Sequence, residues 1–168
     1  MKPILRIPLA LMKTVVADLA RKHAFAAERV GFLFASASDL TAKRPLLLAR
    51  DYAPVKDYEY IRDFRVGARI DDNAIRSVRE RILQRQEAAL HVHAHIGRGM
   101  PCLSRTDIAQ LPPVVQSFCT TGPDLPHGLV LLSEDSVTSF VWMPGQTAAI
   151  VGDVVVVGIP LQQFIGEA

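Results

Sequence analysis

The stretch "ALHVHAHIGRGMPCLSRTD" (residues 89–107) sets His91, His93 and His95 at every second position and follows them with Ser104 and Asp107. In extended backbone successive side chains point to opposite faces. The three imidazoles therefore share one face of a strand, while Val92, Ala94 and Ile96 share the other. Neutral rings crowded this way lack partners and protonated rings repel. A bound cation removes both problems, because neutral imidazole is the commonest protein ligand for zinc and related metals. His93 and His95, joined by Asp107 from the next element, supply three corners of a tetrahedron and leave the fourth for water, the pattern of a catalytic zinc site. Such a site also needs a carboxylate to accept a proton and hand it to the leaving group.

Working outward from this stretch, "RSVRERILQR" (76–85) has helical periodicity. It predicts a helix over 72–87, capped by Asp71 or Asp72, with Ile75, Val78, Ile82 and Leu83 inward and the arginines on a solvated face. That helix feeds a strand at 88–94. Ser104 caps a short helix that Pro112 and Pro113 interrupt or end. "ERVGFLFASA" (28–37) and "RPLLLARDYA" (44–53) read as neighbouring buried strands, and residues 54–70 as a third strand or a loop. "HGLVLLSEDSVTSFVWMPG" (127–145) reads as a hairpin turning at Glu134 and Asp135, and "DVVVVGIPL" (153–161) as a last strand. The N-terminus has apolar residues at helical spacing, which favours an amphipathic helix over about 9–24 rather than a signal peptide. The sum is a sheet of about six strands with helices packed on it.

The 168 residues fit one domain, 1–168, with 49% apolar and 21% charged residues and a formal charge of +2. No run reaches the roughly 18 to 20 apolar residues of a membrane span. A soluble, cytoplasmic chain without a membrane or nucleic-acid partner is the expectation, since no aromatic stacking motif accompanies the dispersed basic residues. Two cysteines, Cys102 and Cys119, are too few for a disulfide framework and read as small buried hydrophobes.

The run His93-x-His95, then Ser104-x-x-Asp107, resembles the signature of the JAMM (MPN-plus, JAB-domain) metalloproteases, whose prokaryotic-type members are deubiquitinase-like isopeptidases. The family pairs that run with an upstream Glu three residues before a Gly that opens an apolar stretch. Glu28, Gly31 and "FLF" match it, so the resemblance spans roughly residues 9–143. Ile96 stands where the family usually has Pro, and the loop from His95 to Ser104 is one residue longer than usual. The resemblance implies an α+β MPN domain: a mixed β-sheet flanked by helices, with a cytidine-deaminase-like architecture. It implies one zinc ion on His93, His95 and Asp107, Glu28 as the base, and Ser104 as a donor to the oxyanion. It also implies hydrolysis of peptide or isopeptide bonds at the C-terminus of a ubiquitin-like protein or its conjugates.

Each residue also has a plainer reading. Ser104 and Asp107 suit an ordinary helix start, and Glu28 alone suits a solvated acid. His23 and His127 read as structural, and Trp142 as core or interface. Using His91 and His93 as the ligand pair lengthens the loop further, so His93 and His95 are preferred. The competing class is a catalytically inactive MPN-type scaffold in an assembly. A zinc deaminase lacks support without a Cys-x-x-Cys pair.

Overall fold

The computed structural model describes residues 1–22, 26–63 and 67–166. Its elements are β1 (Ile4–Pro8), α1 (Leu9–Leu19), β2 (Val30–Ser38), β3 (Leu46–Pro54), α2 (Asp72–Arg85), β4 (Ala88–Ala94), α3 (Arg105–Thr121), β5 (His127–Leu132), β6 (Val137–Trp142), β7 (Ile150–Val157) and β8 (Gln162–Phe164). A short 3₁₀ turn, Asp57–Glu59, follows β3, and Tyr60 bridges Ile70. His23, expected to be structural, lies outside the described residues.

The strand order is β1-β3-β2-β4-β5-β6-β7-β8, and β1 pairs with β7 as well as with β3. Seven strands thus close into a mixed barrel, with β8 added to β7 beside it. The pairings β1–β3, β1–β7 and β4–β5 are parallel, and the others are antiparallel. This overturns the MPN expectation of a helix-flanked, cytidine-deaminase-like mixed sheet of about six strands. The element that changes the architecture is "ILRIP". It is only five residues long and lies just ahead of the helix expected over about 9–24. Paired to β3 on one side and β7 on the other, it joins the two ends of what would otherwise be an open sheet. Asp153 fixes the seam, bonded to Lys2 at 2.7 Å and Arg44 at 2.5 Å.

One apolar cluster fills the barrel. It takes Leu5 and Ile7 from β1, Leu33 and Ala35 from β2, Leu47 from β3, Leu90 and Val92 from β4, Val130 from β5, Val141 from β6 and Val154 from β7. Alternation along each strand sends these residues inward. Met12 and Val15 of α1 join the same cluster. A second cluster lies outside the barrel wall. There Val30, Phe32 and Phe34 of β2 and Ala89 of β4 meet Ala74, Val78 and Ile82 of α2 and Phe118 of α3.

Asp71 caps α2, its side chain accepting from the backbone N–H of Asn73 and Ala74. Leu83, expected inward, is 59% exposed. Arg81 leaves the expected solvated face to lie over the Phe34 ring and pair with Asp51 and Glu87. Helix α3 runs through Pro112 and Pro113 instead of ending there. Each proline removes one i→i−4 donor, to Ile108 and Ala109, and both of those residues are exposed, where water can satisfy the carbonyls. Buried Leu111, Val115 and Phe118 hold the opposite face. Among the described residues no helix is long and apolar enough to cross a membrane.

His127 is fully buried at the start of β5. Its Nδ1 accepts from the Ala89 N–H at 3.1 Å, and its Nε2–H donates to Gly122 O at 3.1 Å. Burial pushes its pKa down to about 4, although both backbone bonds work to raise it. The unfolded ring has a pKa of about 6.5, so below that pH the unfolded chain takes up a proton that the native chain refuses. The unfolding free energy should therefore fall as pH drops from about 6.5 towards about 4. Urea titrations across that window should show a shallower pH slope for His127→Gln; an identical slope would assign the acid sensitivity elsewhere.

Candidate metal centre

Strand β4 carries the histidines on its outer face. Phe32↔His91 and Val30↔His93 are directly opposite pairs across β2 and β4, and Leu90 and Val92 point the other way into the barrel. His95 lies just beyond the strand, where its backbone N–H extends the ladder to Leu132 O at 2.8 Å. Both faces of β4 are thus covered, and His91 and His93 are buried.

Asp107 reaches the histidines from the first turn of α3. Ser104 is the N-cap: its hydroxyl oxygen accepts from the Asp107 N–H at 3.1 Å, and Asp107 Oδ2 accepts from the Ser104 N–H at 2.8 Å. This reciprocal capping box satisfies two orphan donors and fixes the Asp107 rotamer. The same carboxylate then faces both imidazoles, with Oδ1 at 3.2 Å from His93 Nε2 and Oδ2 at 3.1 Å from His95 Nε2. The two Nε2 atoms are 3.0 Å apart.

These three ligands can hold a metal ion. Tetrahedral ligands at zinc distances of 2.0–2.1 Å are about 3.3 Å apart, close to the spacings found here. The donor chemistry agrees. A neutral imidazole has one lone pair and one N–H, and here both Nε2 atoms converge on one point with a carboxylate. Burial opposes the charged form of Asp107, but hydrogen bonds from His93 and Ser104 outweigh it and hold the carboxyl well below the usual carboxylate range. The acid thus stays anionic, as a ligand must.

His91 belongs to the same face but not to the cluster. It packs edge-on between Phe32 and His93, with ring centroids at 5.5 and 5.4 Å, and its Nδ1 has no hydrogen-bond partner. Burial, reinforced by His93 and opposed by Asp107, pushes its pKa down to about 3, so it stays neutral.

A cavity of about 830 Å³ opens beside the cluster, and its walls include His91, His93, Ser104, Asp107 and Glu28. Glu28 precedes β2, half-buried, and its backbone N–H bonds Gly67 O at 2.8 Å. A Cβ at Gly67 would sit 2.4 Å from Glu28 Oε2, so any larger residue there would make the carboxylate shift. Gly67 escaped the sequence reading, because nothing in a charged and aromatic segment marks a glycine as a neighbour of a distant carboxylate. Cys102, expected to be buried, is exposed in the loop before Ser104, while Cys119 is half-buried. Trp142 packs with Leu111, Val115 and Leu129, as expected of core.

No protein-family model matches the chain, and no curated protein matches it in sequence.

Metal analysis of purified protein should give close to one equivalent of a metal ion per chain. Replacing His95 or Asp107 with Ala should empty the site, whereas His91→Ala should keep the metal. Equal loss from His91→Ala and His95→Ala would mean that the ligand set is wrong.

Proposed function

We propose that the chain is a zinc-dependent metallopeptidase that hydrolyses peptide or isopeptide bonds at the C-terminus of a ubiquitin-like protein. The observation that carries the reading is the convergence of His93, His95 and Asp107 on one point, with His93 and Asp107 in the wall of a cavity that Glu28 and Ser104 also line. The likeness of Glu28 and residues 93–107 to the JAMM signature narrows hydrolysis to peptide and isopeptide bonds. It does so on those residues alone, because the barrel departs from the fold that came with the likeness.

Held by the three ligands, a zinc ion supplies Lewis acidity that lets water react near neutral pH. The remaining work falls to the chain. The Glu28 carboxylate accepts a proton from the attacking water and returns it to the departing amine, the role of a general base that becomes a general acid. The Ser104 hydroxyl, whose oxygen accepts from the Asp107 N–H, turns its hydrogen from the Asp107 carboxylate to an oxyanion forming in the cavity. Asp107 remains a carboxylate throughout, held by the helix start it also caps.

Glu28→Gln separates base from ligand, because it preserves volume and removes the proton acceptor. Zinc content and fold should survive, while cleavage of ubiquitin-like fusions or conjugates falls by about 10²- to 10⁴-fold. Gly67→Ala should lower cleavage by displacing the same carboxylate, again with zinc retained. Unchanged turnover in Glu28→Gln would remove Glu28 from the mechanism. Wild-type protein that binds such conjugates but cleaves none of them would favour a scaffold.

A further inference from the structure

Of the three ligands, His95 is the least secured by packing. Its side chain is 22% exposed against 3% for His93, and it lies past the end of β4. The next residue, Ile96, is fully exposed and Met100 is 41% exposed, so little apolar packing anchors the chain as it leaves the histidine. The loop then passes through Gly97 (φ 117°) and Gly99 (φ 84°), both in the left-handed region. It is next buried at Pro101, close to the start of α3.

What holds the intervening stretch is polar and comes from the turn between β5 and β6. Glu134 N–H donates to Gly97 O at 2.9 Å. Asp135 Oδ1 accepts from the Gly99 N–H at 2.7 Å, and the Ser133 hydroxyl donates to Gly99 O at 2.7 Å. Ser133 Oγ also accepts from the Ser136 N–H at 3.0 Å, which ties it into its own turn. Both backbone groups of Gly99 are therefore taken by side chains of one distant turn. Nothing in the barrel requires this, since the β5–β6 hairpin is already closed by the Ser133 N–H to Ser136 O bond at 2.9 Å.

We propose that Ser133 and Asp135 are positioning residues for the metal centre, clamping Gly99 so that His95 meets His93 and Asp107 in ligating geometry. The inference rests on the metal reading of the triad and adds the residues that set its affinity. Without the clamp, the loop between His95 and Ser104 samples many conformations, and ordering His95 on the metal would then cost binding energy. Residues that orient ligands from outside the coordination shell commonly change metal affinity by 10- to 100-fold when removed.

The test measures zinc affinity by competition with a chromophoric chelator for wild type, Ser133→Ala, Asp135→Ala, the double variant, Asp135→Asn and Arg98→Ala. Thermal unfolding of each metal-free protein is followed alongside. The double variant should bind zinc at least about tenfold more weakly than wild type, with a metal-free Tm close to wild type, because the barrel core is untouched. Asp135→Asn keeps an oxygen acceptor for the Gly99 N–H and should restore most of the affinity. Arg98→Ala removes only the exposed pair with Glu134 and should leave affinity unchanged. Wild-type affinity in the double variant would overturn the clamp while leaving the metal reading intact, as would a loss that merely tracks a fall in metal-free stability. Wild-type protein that leaves all zinc with the chelator would overturn the metal reading and the clamp with it.

Discussion

Strand β4 has no face turned to water. Leu90 and Val92 fill the barrel, and His91 and His93 lie on the other side under the layer that α2 and α3 add to the wall. Placing imidazoles where Val or Phe would pack at no polar cost is unfavourable unless their nitrogens find partners, because an unmatched buried polar group costs about 1–3 kcal/mol. Asp107 answers that constraint for the Nε2 atoms of His93 and His95, while Nδ1 of His91 and Nδ1 of His93 are left without a hydrogen-bond partner. Helix α3 must start where its first-turn acid can reach both Nε2 atoms, and β2, β4 and the helix start all contribute to the cavity wall.

Asp107 links folding to chemistry. One carboxylate closes a capping box with Ser104 and faces two histidines, so the helix start and the ligand set are one structure. A ligand held by its own backbone turn loses little freedom when it binds. The same economy limits what mutation can separate: a change at Ser104 touches the cap and the cavity wall together. Glu28 and Gly67 lie outside this coupling, and so do Ser133 and Asp135.

The convergence of the triad was more legible in the sequence than the fold. His93, His95 and Asp107 sit within fifteen residues of one another, on a strand and a helix start whose periodicities are local, so their meeting follows from short-range rules. The β5–β6 hairpin and the α2 helix were legible for the same reason. Barrel closure was not, because it depends on "ILRIP" pairing with strands about 40 and 150 residues away, and no local pattern encodes such a partner. The tandem prolines misled in the opposite direction, since a local rule against helix interiors yielded to the apolar face of Leu111, Val115 and Phe118. Gly67, Ser133 and Asp135 act through contacts across the chain, and their residue types are commonplace in loops and turns.

The central claim is that two imidazoles and one carboxylate converge because they share a metal ion. Anomalous diffraction from zinc-loaded crystals, recorded on both sides of the zinc absorption edge, tests it most directly. The account predicts one strong peak per chain, about 2.0–2.1 Å from Nε2 of His93 and of His95 and about 2.0–2.2 Å from an Asp107 oxygen. A triad that keeps its direct hydrogen bonds with no peak among them, or zinc bound only elsewhere on the chain, would contradict it.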